Sequence, residues 1–129
     1  MATSGKSVAK LKKEADKWWS LYIRTRDSVD GYAECITCGV SKPIKEIQCG
    51  HFVRRSVNKL RYDERNTNAQ CVGCNMFKAG ESYLYGKAID LKFGVGVADE
   101  LQAMRHDTQK LTIQELEDII AYAKDYLKD

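Results

Sequence analysis

The chain has 129 residues, 43% hydrophobic and 30% charged, which is the composition of an ordinary folded domain and excludes a disordered protein. No apolar run approaches the roughly 18 residues needed to span a bilayer, and the first residues lack the apolar segment of a secretory signal. We therefore expect one cytoplasmic domain over residues 1–129 with no membrane partner. The net charge of +3 is uneven, because residues 40–80 carry 8 basic and 3 acidic side chains whereas residues 81–129 carry 6 and 10. Such asymmetry favours binding of a polyanion by the central region.

An amphipathic helix is predicted within residues 1–30, where apolar side chains recur in steps of three and four. The Asp30-Gly31 pair favours a turn after it. The apolar stripe includes Trp18, Trp19, Tyr22 and Ile23. We expect this stripe to form the interface of a homodimer, and the alternative is that a C-terminal helix covers it within one chain.

Residues 31–94 are predicted to hold short strands and loops around two C-x-x-C motifs. The motifs CITC and CVGC supply Cys35, Cys38, Cys71 and Cys74, with 32 residues between the pairs. Two such pairs suit a closed tetrahedral zinc site, and we predict one structural Zn²⁺. A thiol–disulfide function or an iron–sulfur cluster are the alternatives. Cys49 is predicted to be a free thiol, with a metal-ligand role as its alternative.

The C-terminal part is predicted to be helical. Helical spacing over Leu84–Leu91 is followed by Gly94, a residue that commonly ends helices. A short helix is predicted over Val97–Arg105, and Thr112 with Glu115 forms the T-x-x-E pattern of a capping box before the last helix. The fold class is therefore α+β, with flanking helices at residues 1–30 and 95–129.

Three further motifs surround the cysteines. His51 lies in GHF, Asn66 ends RYDERN, and Asn75 and Lys78 follow the second cysteine pair as C-x-x-C-N-x-x-K. This order resembles the HNH or ββα-metal nucleases of treble-clef type. It is more closely similar to the phage NinG (Rap) recombination endonucleases, which cleave branched DNA, and the similarity extends from Leu11 to Lys92.

The resemblance implies a zinc-stapled ββα-metal centre and a metal-dependent DNA endonuclease acting on branched or Holliday-junction DNA in the bacterial host cell. It assigns His51 as general base, Asn66 as the residue that orients the imidazole, and Asn75 as a ligand of catalytic Mg²⁺ or Mn²⁺. A histidine of near-neutral pKa suits that task. Basic side chains are expected to contact DNA phosphates: Arg54, Arg55, Arg61, Arg65 and Lys78. The alternative for one or two of the arginines is an ion pair with Asp63 or Glu64.

One position departs from the pattern. Most ββα nucleases carry a metal-binding acid directly before the histidine, and this chain has Gly50 there. The missing carboxylate is expected from Asp63 or Glu64, or else His51 itself binds the metal. His106 is interpreted as a surface residue. The competing hypotheses are a non-catalytic zinc-finger-like DNA-binding module, which the order of His51, Asn66 and Asn75 disfavours, and a protein-interaction adaptor, which the central positive charge disfavours.

Overall fold

The computed structural model describes residues 7–77 and 81–128, in which helices alternate with two small antiparallel sheets. The mixed α+β class predicted from the sequence is confirmed. The helices are α1 (Val8–Arg26), α2 (Asn58–Arg61), α3 (Ser82–Phe93), α4 (Val97–Ala103) and α5 (Ile113–Leu127). Among the described residues, none of the helices combines the length and the apolar character needed to cross a membrane.

The first sheet has the order β1-β2-β3 and the second pairs β4 with β5. Their strands are β1 (Ser28–Val29), β2 (Tyr32–Glu34), β3 (Ser41–Pro43), β4 (Gln48–His51) and β5 (Thr67–Gln70). In the second sheet His51 lies opposite Thr67 and Gly50 lies opposite Asn68. A short helical turn, Gly73–Phe77, follows β5 and includes the last zinc-motif cysteine.

Helix α5 covers the apolar stripe of α1. Trp19, Tyr22 and Ile23 are buried with Ala123 of α5, and Trp18 is partly buried beside them. The structure therefore has the alternative arrangement, in which a C-terminal helix covers the stripe within one chain, because α5 presents its own apolar face to α1. The Thr112–Glu115 capping box that begins α5 is confirmed. The surface on which the homodimer prediction relied is therefore occupied within one chain.

A second apolar core lies under α3 and α4. Tyr85, Ile89 and Leu101 are buried there against Leu60 of α2. Both helices occur where they were predicted, and the N–H of Gly94 closes α3 by donating to Asp90 O at 3.0 Å.

Polar contacts fix α1 to the second sheet. The indole Nε1 of Trp19 donates to Thr67 Oγ1 at 3.0 Å. Arg26, at the end of α1, donates to the backbone carbonyls of Glu64 and Thr67 at 2.8 and 3.0 Å. Helix α1 is therefore held beside β4 and β5, where its polar face forms one wall of the cleft described below.

Candidate functional site

The four predicted zinc ligands lie together. The Sγ atoms of Cys35, Cys38, Cys71 and Cys74 all lie within 4.8 Å of one another, and Cys38 Sγ is 3.7 Å from Cys71 Sγ. A tetrahedral zinc site with Zn–S bonds of about 2.3 Å places its sulfurs roughly 3.8 Å apart. The four thiols therefore fit a zinc ion, and they form a site that could bind one.

The local electrostatics favour a thiolate in this cluster. Burial raises the pKa of Cys35, but hydrogen bonds from the backbone of Cys71 and from the Thr37 hydroxyl outweigh it and lower the pKa to about 6. The backbone N–H of Cys74 also points at Cys71 Sγ, at 3.5 Å. Cys49 lies outside the cluster, next to α1, and burial raises the pKa of its thiol to about 12. It is thus a partly buried free thiol, as its simpler interpretation predicted.

A cleft of about 610 Å³ opens between α1 and β4. Its walls include His51, Asn75, Arg55 and Arg61, four of the residues that the sequence predicted to be functional. Polar residues that the sequence analysis did not select line it as well: Asp16, Ser20, Arg24, Gln48 and Tyr62.

The ring of His51 is held by the backbone. Its Nε2 lies 3.0 Å from the carbonyl oxygen of Arg61. Because a carbonyl only accepts, Nε2 carries the proton and Nδ1 keeps a free lone pair. Burial lowers the pKa of His51 below its ordinary value, so the neutral imidazole predominates at pH 7. A neutral ring with one nitrogen fixed and the other unprotonated can accept a proton.

Asn66 does not contact the imidazole, in contrast to the orienting role expected from the sequence. Its Oδ1 accepts from Val53 N at 2.8 Å, and its Nδ2 donates to the carbonyls of Val53 and Leu60, each at 3.0 Å. The side chain is fully buried, and these bonds use its donor and acceptor groups within the segment that follows β4. Since Leu60 precedes Arg61, Asn66 fixes the backbone next to the carbonyl that holds His51. Its effect on the imidazole is indirect.

Asn75 lies in the helical turn after β5 and lines the cleft. Its Nδ2 donates to Gln48 Oε1 at 2.8 Å. Amide oxygens are of the ligand type that Mg²⁺ and Mn²⁺ prefer, and Asn75 Oδ1 accepts a hydrogen bond from none of the described residues. The oxygens of Gln48 and Asp16 are already engaged, the first by Asn75 and the others by Arg61 and Tyr62. Asn75 thus offers one amide oxygen to the hard divalent cation that the resemblance implies, and water and DNA phosphates would supply the other ligands.

Asp16 of α1 organises the basic wall of the cleft. Its Oδ1 accepts from Arg61 Nε at 2.9 Å and from the Tyr62 hydroxyl at 2.8 Å, and Arg55 Nη1 lies 3.7 Å from Oδ2. Burial raises the pKa of Asp16, but the hydrogen bonds from Arg61 and Tyr62 outweigh it and hold the pKa below its usual range. The sequence carried no signal for this role, because an aspartate within an amphipathic helix is ordinarily a solvated polar residue.

Asp63 and Glu64, the carboxylates expected to replace the missing acid, lie away from the cleft. Asp63 Oδ1 accepts from the backbone N–H of Arg65 at 2.8 Å, closing a turn. Glu64 accepts from the hydroxyls of Tyr22 and Tyr122 near α5. Both carboxylates accept hydrogen bonds from neighbouring groups outside the cleft. The expectation that one of them replaces the missing metal-binding acid is therefore corrected.

The remaining basic residues differ in position. Arg65 lies 3.5 Å from Asp63 and 3.8 Å from Glu100, and the exposed Arg54 donates to Ser56 at 3.0 Å. Neither lines the cleft, whereas Arg55 and Arg61 do. Lys78 lies outside the described residues.

The packing of a neighbouring side chain explains why a glycine, Gly50, directly precedes His51. A Cβ built on Gly50 would lie 2.0 Å from Oε1 and 2.9 Å from Cβ of the buried Gln70. No side chain fits at position 50 while Gln70 occupies this space, so an acid directly before the histidine is excluded. Any further oxygen ligand must come from another position.

Comparison with known proteins agrees with the motif analysis. A family model described as "Bacteriophage Lambda NinG protein" matches residues 2–129. The proteins named "Protein ninG" of Escherichia phage 933W, Salmonella phage P22 and Escherichia phage lambda are each 31% identical over 118 residues. These alignments cover 91% of this chain but 55–56% of the relatives, so the chain spans about half their length. No solved structure matches.

Proposed function

The chain belongs to the NinG family of bacteriophage lambda, and on that premise we propose that it is a metal-dependent endodeoxyribonuclease of HNH type. Its substrate is branched DNA such as a Holliday junction, and it acts in the cytoplasm of the phage's host. The observation that carries the proposal is the cleft in which a neutral, backbone-anchored His51 lies with Asn75 and three arginines.

The order of elements supports the ββα-metal assignment. Antiparallel β4 and β5 are followed by the helical turn Gly73–Phe77, with His51 ending the first strand and Asn75 within the turn. The four-cysteine site joins the loop after β2 to the start of this turn. It would fix the turn relative to the strands, since structural zinc contributes directly to the stability of small domains.

In the proposed reaction His51 Nδ1 removes a proton from the water that attacks the phosphorus atom, while one P–O ester bond breaks and its oxygen leaves and takes a proton from solvent. The Nε2–H bond to the Arg61 carbonyl keeps the imidazole oriented while Nδ1 takes up that proton. Arg55, whose side chain is 64% exposed at the edge of the cleft, neutralises the bound phosphate. Asn75 would hold the Mg²⁺ or Mn²⁺ ion, which when bound supplies Lewis-acid stabilisation of the developing charge.

We further propose that the enzyme acts as a homodimer on junctions. A four-way junction is resolved by two symmetric cuts, and a two-fold pair of chains supplies two equivalent sites. With the α1 stripe covered by α5, pairing must use other surfaces. Exposed apolar side chains of α3, including Leu84 and Leu91, are available for it.

The test is a cleavage assay with zinc-loaded protein. Supercoiled plasmid, a labelled four-way junction and a linear duplex of the same sequence are incubated with Mg²⁺, with Mn²⁺, or with no added divalent cation. Omission is preferable to a chelator, because a chelator would also remove zinc from the cysteines. We expect metal-dependent nicking and faster cutting of the junction. DNA retention without cutting under any condition would instead identify a non-catalytic zinc DNA-binding module.

A further inference from the structure

We propose that Gln48 is a positioning residue of the catalytic metal site. Its side chain holds the amide of Asn75 so that the oxygen of that amide, and not its nitrogen, faces the metal. This inference rests on the proposed function, because it concerns the ion that Asn75 would bind. Gln48 belongs to none of the motifs singled out in the sequence, and the contact that carries the inference joins β4 to the turn after β5.

The hydrogen bonds determine which end of each amide is the donor. Gln48 Nε2 donates to Met76 Sδ at 3.5 Å, and its Oε1 lies 2.8 Å from the Asn75 amide. A thioether sulfur has no hydrogen to donate, so the atom of Gln48 at Met76 must be the nitrogen. The oxygen of Gln48 then faces Asn75 and requires a donor, which only Asn75 Nδ2 supplies.

This arrangement fixes the free end of Asn75. The oxygen and nitrogen of a planar amide point in different directions, so an amide whose Nδ2 is bound to Gln48 turns its Oδ1 elsewhere. Both residues line the cleft that contains His51. Without Gln48 the amide could rotate, and half of its orientations would present N–H groups that repel a cation.

Gln48 matters for the metal site because no metal-binding acid can occupy position 50. Gln70 excludes any side chain at position 50. The residues of β4 before His51 that line the cleft are therefore Gln48 and Cys49, and Cys49 is a partly buried thiol. Gln48 is neutral, so it orients the ligand without adding charge. A glutamate at this position would still accept from Asn75 and would add a negative charge beside the cation.

The experiment measures Mn²⁺ binding by electron paramagnetic resonance on zinc-loaded protein, together with the Mn²⁺ concentration that gives half-maximal nicking. The variants are Gln48→Met, which keeps the shape and removes the acceptor, and Gln48→Glu. The matched control is Gln114→Met, which removes a single side-chain bond of 2.8 Å to Asp118 on the exposed face of α5. Zinc content and circular dichroism verify the fold of each variant.

We expect Gln48→Met to weaken Mn²⁺ binding about fivefold, the loss associated with one oriented neutral hydrogen bond. Gln48→Glu should tighten it about tenfold, because a unit charge is added close to the ion. The concentration for half-maximal nicking should shift in the same directions, and Gln114→Met should change neither quantity.

Unchanged Mn²⁺ affinity in folded Gln48→Met, with nicking like that of the parent protein, would overturn the role of Gln48 and leave the endonuclease proposal standing. If Gln48→Met does not fold, Gln48→Leu, which also removes the acceptor, decides the question by the same measurement. A parent protein that neither binds Mn²⁺ nor nicks DNA would overturn both proposals.

Discussion

The carboxylate of Asp27 accepts a hydrogen bond of 2.9 Å from the backbone N–H of Ala69, which joins the end of α1 to the middle of β5. Two cations complete its surroundings, since Arg26 lies 2.8 Å and Lys92 3.0 Å from Asp27 Oδ1. Only 10% of the Asp27 side chain is exposed. One carboxylate thus links α1, β5 and α3.

We expect Asp27→Asn to destabilise the protein by about 2 kcal/mol, because it removes the anion of Lys92 and one of the two carboxylates that pair with Arg26, the other being Glu64. Urea unfolding followed by circular dichroism at pH 7 measures this. Burial raises the pKa of Asp27, but Arg26 and Ala69 outweigh it and hold the pKa below its usual range. This contribution is therefore present above the unfolded-state pKa and is lost as the pH falls through the folded-state value. The exposed Asp30→Asn is the control, and equal stability of the two variants would contradict the assignment.

Replacing the zinc ligand Cys71 should change zinc content and stability, whereas replacing the free thiol Cys49 should not change zinc content. We expect the parent protein and Cys49→Ala to hold one Zn²⁺ per chain, and Cys71→Ser to lose the metal and unfold between β2 and the turn after β5. Elemental analysis and thermal unfolding measure both effects. A folded Cys71→Ser protein that lacks zinc would show that the metal is dispensable.

Removal of the imidazole should abolish cutting while DNA binding persists. We expect His51→Ala to lower the cleavage rate by about 10²–10⁴, the usual contribution of a general base. DNA affinity should change little, because phosphate contacts come from Arg and Lys side chains. His106→Ala removes the other histidine of the chain, far from any predicted motif, and should cleave normally. Equal rates for the two variants would refute the assignment.

The pH dependence of cleavage should reflect the buried state of His51. Burial lowers its pKa below the ordinary value of 6.5, and the base acts only when neutral. As the pH is lowered, the rate should therefore fall with a midpoint below 6.5. Single-turnover rates at constant ionic strength test this. An acidic limb centred above 7 would indicate a different titrating group.

The homodimer proposal predicts a particle of twice the 14.7 kDa of one chain. Light scattering at micromolar concentration measures the mass of the free protein and of its junction complex. A dimer that forms only with DNA would still satisfy the two-cut mechanism. A complex that holds one chain per junction while it cleaves would exclude the homodimer.

Elements with a repeating or paired signal could be predicted from the sequence. The capping box located the start of α5, and the spacing of the cysteine pairs predicted a cluster that the structure contains. The positions of Asp16 and Gln48 could not be predicted, because each owes its place in the cleft to packing between segments far apart in the chain. Asn66 was expected to orient the imidazole, but its hydrogen-bond partners depend on how the segment after β4 folds back, which the sequence does not show.

The packing of α5 on α1 has a consequence for how the protein is made. Between Arg26 and Ile113 lie 86 residues, and a ribosome adding about 5–20 residues per second needs on the order of ten seconds to produce them. During that interval Trp19 and Ile23 have no α5 to cover them, whereas the cysteine pairs of the central region are synthesised before α5. A nascent chain can therefore capture zinc before α5 packs against α1, the helix that carries Asp16. Cleavage activity should arise only after α5 leaves the ribosome, which separates metal loading from DNA cutting in time.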